Sequence, residues 1–229
     1  MVFHLGYLKA IIGSILEKKM STQRVKWVLK KARGERILDI GFVGEEWKKA
    51  NLHRAIRRVN PGSFVAGLDT NKELLEKYDF PNSKVGSFLD MPYKDEEFDV
   101  VVISEVIEHV LESVDGFKEI ARVLKPGGRL VLTTPCAYGF FQLLKHWFLA
   151  RDLGARRNYR RFLGNDDHKI FWEPLSLANI LAMNGLVVTE LTTRNLALPY
   201  LPSFIRNPPL HFWPFTRMGT YLCIVAEKK

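Results

Sequence analysis

The chain has 229 residues, 47% hydrophobic and 26% charged, which suits one soluble globular domain able to bury a sizeable core. Two cysteines, Cys136 and Cys223, supply neither a disulfide framework nor paired metal-ligand spacing, so a reducing cytoplasm is the expected setting. No run reaches the roughly 18–20 apolar residues of a membrane-spanning helix, and the start lacks the basic stretch and small-residue cleavage site of a signal peptide.

Leu5, Leu8, Ile12, Ile15 and Leu16 recur at helical spacing and predict an amphipathic helix over 3–19. Ser21 or Thr22 caps a second helix that runs through Lys31. Apolar runs predict strands near 35–40, 63–69, 83–87, 98–104 and 129–135. Helices are expected between them, one over 45–58 and one over 115–124 that stops before Pro126-Gly127. Glu173-Pro174 opens a helix to about Asn184, closed by Gly185, and strands at 186–193 and 219–227 end the series. Strands alternating with helices argue an α/β fold, a parallel sheet with both faces covered. There is no internal repeat and no low-complexity tract.

Arg36-Ile-Leu-Asp-Ile-Gly-Phe-Val-Gly44 reads as a strand, a glycine turn and then a helix. That order opens the ligand crevice of a doubly wound sheet, where glycines let the backbone approach a nucleotide. Apolar runs ending in an acid return at Asp69 and Asp90. An acid at the tip of the second strand is placed to hold ribose hydroxyls.

Five segments, taken in order, resemble the class I S-adenosylmethionine-dependent methyltransferases. They are LDIG at 38–41, GLD at 67–69, FLDMPYKDEEFDVVVISEVIEHV at 88–110, LKPGGRLVLTTP at 124–135 and HKIFWEPLSLANILAMNGLVV at 168–188. The resemblance is to the methyltransferase type 11 group that includes ubiquinone- and menaquinone-biosynthesis enzymes, and it covers most of 35–194. It implies a Rossmann-like doubly wound sheet of seven strands, mostly parallel with the last antiparallel. A single domain then comprises N-terminal helices (1–33), a cofactor-binding core (34–135) and two substrate-covering insertions (136–168 and 195–217). One departure stands out. Where the family has glycines two and four positions after Gly41, this chain has Val43 and Glu45, with a glycine displaced to Gly44. A side chain at Val43 has the bulk to crowd the methionyl slot; the loop is read as a variant that still binds the cofactor, the alternative being a member that keeps the fold without the ligand.

The resemblance implies S-adenosyl-L-methionine as cofactor and gives several residues a role toward it. Asp39 would lie near its amino group, with Gly41 and Gly44 giving backbone approach. Asp69, followed by Thr70, would take the ribose hydroxyls, and Asp90 the adenine amino group, with Met91 against the ring. Ser104 and Glu105 at the tip of the fourth strand complete the cofactor set. Glu105, Glu108 and His109 are spaced i, i+3, i+4, which places them on one helix face. His109 is the candidate base for an acceptor hydroxyl, and His168 and Trp172 would line the acceptor pocket. Glu-x-x-Glu-His together with His168 also resembles the metal site of small-RNA 2′-O-methyltransferases. The same letters occur in members without a metal requirement, and no metal is expected.

The formal charge of +9 concentrates between Lys18 and Arg36 and again between Lys145 and Lys169. The second cluster follows an aromatic stretch from Tyr138, and Asn195–Arg217 interleaves prolines with aromatics. An apolar wall beside cations suits an acceptor with a greasy body and an anionic head, or peripheral contact with a membrane surface. A plain hydrophobic cover on the domain fits the same letters. Two readings follow: a methyltransferase of a small-molecule or lipid-like acceptor, with oxygen as the candidate atom, or a non-catalytic module of the same fold that binds a membrane or protein partner. Nucleic acid is disfavoured, because the chain has no recognised RNA-binding domain and no Asn-Pro-Pro-Tyr-type tetrad after the fourth strand.

Overall fold

The computed structural model describes residues 23–43, 52–78, 80–139, 143, 168–194 and 218–229. In chain order its elements are α1 (23–31), β1 (Arg36–Ile40), α2 (Leu52–Val59), β2 (Phe64–Asp69), α3 (Lys72–Tyr78), β3 (Ser83–Val85) and β4 (Phe98–Ser104). There follow α4 (Ser113–Val123), β5 (Leu124–Pro135), α5 (Pro174–Met183), β6 (Leu186–Arg194) and β7 (Tyr221–Lys228).

The seven strands form one sheet in the order β3-β2-β1-β4-β5-β7-β6. The first five pair in parallel, while β7 runs antiparallel to both β5 and β6. This is the doubly wound arrangement expected from the sequence. Central strands read as unbroken apolar runs because both of their faces are covered: Val100, Val101, Val102 and Ile103 are all fully buried. Leu38, Ile40, Val101 and Ile103 point into a core shared with Phe117 of α4 and Leu177 of α5. Ile37, Val65, Val100 and Val102 point the other way, against Trp27 of α1 and Ile56 of α2.

Several boundaries differ from the expected ones. β3 ends at Val85, and β5 already begins at Leu124, opposite Phe98. Pro126-Gly127 is therefore absorbed as an irregularity, with Gly127 at φ 73 and a register shift between Phe98 and Val100. α5 starts as expected: Glu173 accepts from the N–H groups of Leu175 and Ser176, Pro174 occupies the first turn, and Gly185 at φ 78 lets the chain leave. The helix expected over 3–19, the first half of that expected over 45–58 and both covering segments lie largely outside the described residues.

Candidate functional site

The chain winds outward from β1 to β3, then returns to β4 on the other side, so the strand order reverses between β1 and β4. The crevice beyond the carboxyl ends of these strands is where an open α/β sheet takes its ligand. Gly41, the residue after β1, has φ 67 and donates its N–H to the Leu68 carbonyl at 2.8 Å. A Cβ at Gly41 would overlap the Val106 side chain, so the turns after β1 and β4 touch there. Only glycine satisfies both the conformation and the contact.

Asp69 ends β2 and is buried, and each of its oxygens accepts a backbone hydrogen bond. Oδ2 takes the Val43 N–H at 2.8 Å and Oδ1 takes the Asn71 N–H at 2.9 Å. The carboxylate thus ties the glycine turn to the tip of β2, with lone pairs left for further donors. Val43 therefore contributes its backbone to Asp69, while its side chain packs on the cluster of Phe42, Leu75 and Phe80. Thr70 is exposed beside Asp69, and Gly44 lies outside the described residues.

The segment after β3 is arranged differently from what its letters suggest. Asp90 is exposed and pairs back on Ser87 in a short antiparallel bridge. Met91 is buried in the main core, its N–H donated to Glu119 Oε2 at 2.8 Å. Ser87, two residues past the end of β3, lies beside Asp90 across that bridge.

After β4 one expectation is corrected. Glu105, Glu108 and His109 do not share a helix face, because residues 105–112 form turns and α4 begins only at Ser113. Glu105 is left-handed at φ 59, and Ser113 Oγ donates to the Ile107 and Val110 carbonyls, which holds the loop coiled. Glu108 and His109 are instead chain neighbours within a turn closed by the His109 N–H on the Val106 carbonyl at 3.0 Å.

Glu108 is fully buried. Its Oε2 accepts from Thr134 Oγ1 at 3.0 Å, and its Oε1 has no hydrogen-bond partner and lies 4.0 Å from His109 Nε2. Its carbonyl accepts the Lys169 and Ile170 N–H groups, which draws His168 to the site. The His109 and His168 ring centroids are 4.8 Å apart. One donor atom from each of Glu108, His109 and His168 falls within 4.8 Å of the others, a grouping of the kind that holds a cation. Burial pushes the Glu108 carboxyl up to about 7. Burial also raises Glu105, against the nearby Arg24 charge. Trp172 is buried near Phe117, with its indole N–H unpartnered.

Two residues at the site escaped sequence reasoning. Arg24 reaches from α1 to the tip of β4, donating to Ser104 Oγ at 2.8 Å and lying 3.3 Å from Glu105 Oε1. Ser104 Oγ in turn shares a 2.8 Å hydrogen bond with Thr133. His53, on α2, contacts Asp39 at 3.1 Å beneath the glycine turn, and both are buried. Neither contact has a local signal, since the partners are 80 and 14 positions apart.

Known proteins agree with this architecture. A family model described as a methyltransferase domain matches residues 38–132. The ubiquinone biosynthesis O-methyltransferase of Aeromonas salmonicida is 26% identical over 215 residues, covering 80% of this chain and 82% of that protein. The demethylmenaquinone methyltransferase of Staphylococcus carnosus is 31% identical over 127 residues, covering 52% and 51%. Among solved structures, an S-adenosylmethionine-dependent methyltransferase from Thermotoga maritima superposes with a TM-score of 0.65 at 16% identity, over 97% of this chain and 96% of that one. The domain match, the relatives and the shared fold together support a class I S-adenosylmethionine-dependent methyltransferase. The chemistry of its residues fits that cofactor: a left-handed glycine turn after β1 and, at the tip of β2, a buried acid with lone pairs left beyond its two backbone hydrogen bonds.

Proposed function

We propose that this chain methylates a hydroxyl oxygen of a small or lipid-like acceptor of the quinol type. The observation that carries the reading is Asp69, whose carboxylate is pinned by the Val43 and Asn71 N–H groups at the crevice mouth. S-adenosylmethionine supplies an electrophilic methyl group on a sulfonium, so the protein's part is to align, exclude water and manage one proton. Asp69 receives the ribose hydroxyls, Asp39 counters the amino group, and Gly41 gives the backbone approach. Ser87 and Asp90 flank the adenine, while Ser104 and Glu105 form the wall nearest the transferred methyl. His109 takes the acceptor's hydroxyl proton, and Glu108, 4.0 Å from Nε2, offsets the imidazolium that forms. His168 and Trp172 bound the acceptor side. The acceptor preference draws on the quinone-biosynthesis names of the relatives. The setting is cytoplasmic, with the membrane surface supplying a greasy acceptor. No described helix is long and apolar enough to cross a bilayer.

A second reading of the same residues gives Glu108, His109 and His168 to a divalent ion that would polarise the acceptor oxygen, favoured by the unpartnered, buried Glu108 Oε1. Methyl transfer to short-chain demethylated quinols, followed by mass spectrometry, tests the function. The expected product carries one added methyl on oxygen. A folded protein that binds the donor and methylates no phenolic or quinol hydroxyl contradicts it.

A further inference from the structure

His53 has no part in the transfer outlined above, yet it is the one fully buried imidazole among the described residues. It sits in the first turn of α2, on the face turned to the sheet. Nδ1 lies 3.1 Å from Asp39 Oδ2 on β1. Phe42 stacks on the ring with centroids 4.4 Å apart, and Phe80 meets it edge-on at 6.0 Å. Nε2 is buried without a hydrogen-bond partner. Aromatic rings offer no competing acceptor, so Asp39 decides which nitrogen carries the proton: Nδ1–H donates to the carboxylate and Nε2 stays bare. Two other charges face this pair, Asp69 at the tip of the neighbouring strand and Arg54, whose guanidinium lies 5.6 Å from the Phe80 centroid. Desolvation drives so deeply buried an acid toward its neutral form; the hydrogen bond from His53 opposes it, while Asp69 adds to it.

We infer that His53 is a positioning residue for the methyl donor, holding the Asp39 carboxylate ionised and in one orientation beneath the glycine turn, where it counters the ammonium of the donor's methionyl arm. The inference deepens the reading of Asp39 given above and rests on it. A neutral Asp39 would leave that ammonium without its counter-charge, while the adenosyl half of the ligand would be bound as before.

Calorimetry on the full chain with two ligands tests it. S-adenosylhomocysteine carries the amino-acid arm, and 5′-methylthioadenosine lacks its amino and carboxyl groups. His53→Phe fills the space between Phe42 and Phe80 without a donor. At neutral pH it is expected to weaken S-adenosylhomocysteine binding about tenfold or more and to leave methylthioadenosine within about twofold. Part of the lost affinity returns as the pH is raised, because burial raises Asp39 and a more alkaline solution favours its ionised form. His53→Asn, whose amide can donate from near the Nδ1 position, restores most of the preference. Retained methylthioadenosine binding reports that the variant is folded, and His53→Leu supplies the same comparison if phenylalanine disrupts the packing. A donor-less variant that keeps the wild-type preference between the two ligands overturns the role of His53 and leaves Asp39 in place. A wild type that binds both ligands equally overturns the Asp39 contact and this inference with it.

Discussion

Asp69 and His109 show how differently single residues declare themselves in a sequence. Asp69 closes an apolar run, and an acid at a strand tip has few structural uses, so its place at the crevice was legible. His109 was legible as chemistry but not as geometry. Glu-x-x-Glu-His has the spacing of a helix face, whereas the left-handed Glu105 and the Ser113 hydroxyl keep the segment in turns. Nothing in the letters announces a left-handed glutamate. Arg24 and His53 are hidden for another reason: each acts through a partner brought near only by the fold. If His109 is the base, His109→Ala lowers kcat by about 10²–10⁴-fold and leaves donor affinity unchanged. Chelation with EDTA then has no effect on the wild-type rate. A wild type silenced by EDTA and revived by a divalent ion would instead place the ion at Glu108, His109 and His168.

At the scale of elements, β1 and β4 were readable because a strand buried on both faces can only be a continuous apolar run. Helix ends marked by chemistry were readable too, as at Glu173-Pro174 and Gly185. The start of β5 was not, since a Pro-Gly-Gly turn signal and an irregular strand look alike in letters. β1 is also anchored by a contact that its own sequence does not show. Asp99 on β4 accepts the Glu35 and Arg36 N–H groups at 3.1 and 2.8 Å and the Lys125 ammonium. Partial burial pushes the Asp99 carboxyl up, but these hydrogen bonds outweigh it and hold the group below its ordinary value of 3.8. A depressed carboxylate stabilises the fold above its unfolded pKa and stops doing so as the pH falls through the folded one. Asp99→Ala is therefore expected to cost about 1–3 kcal/mol in urea unfolding at neutral pH. The gap to wild type should narrow steadily below about pH 3.8. A gap that is the same at both ends of this range would remove the charge from the explanation.

The whole molecule divides into a sheet that the sequence specifies strongly and a crevice rim that it specifies only in part. Seven strands, the antiparallel last one and the two covered faces follow from periodicity and from the resemblance. The basic cluster of 145–169 and the proline-aromatic segment of 195–217, which sequence reasoning assigned to the acceptor or to a membrane surface, fall almost wholly outside the described residues. The acceptor is accordingly read from Glu108, His109 and His168 and from the relatives, and the donor from the crevice itself. Val43, the departure that put donor binding in question, packs its side chain on Phe42, Leu75 and Phe80 and lends its N–H to Asp69. Calorimetric titration of the wild type and of Asp69→Ala with S-adenosylmethionine is the most direct check of that arrangement. Binding at roughly micromolar Kd by the wild type, lost in a variant that stays folded, is the predicted result. A folded wild type that takes up no donor, or an Asp69→Ala variant that binds it equally well, would contradict the account.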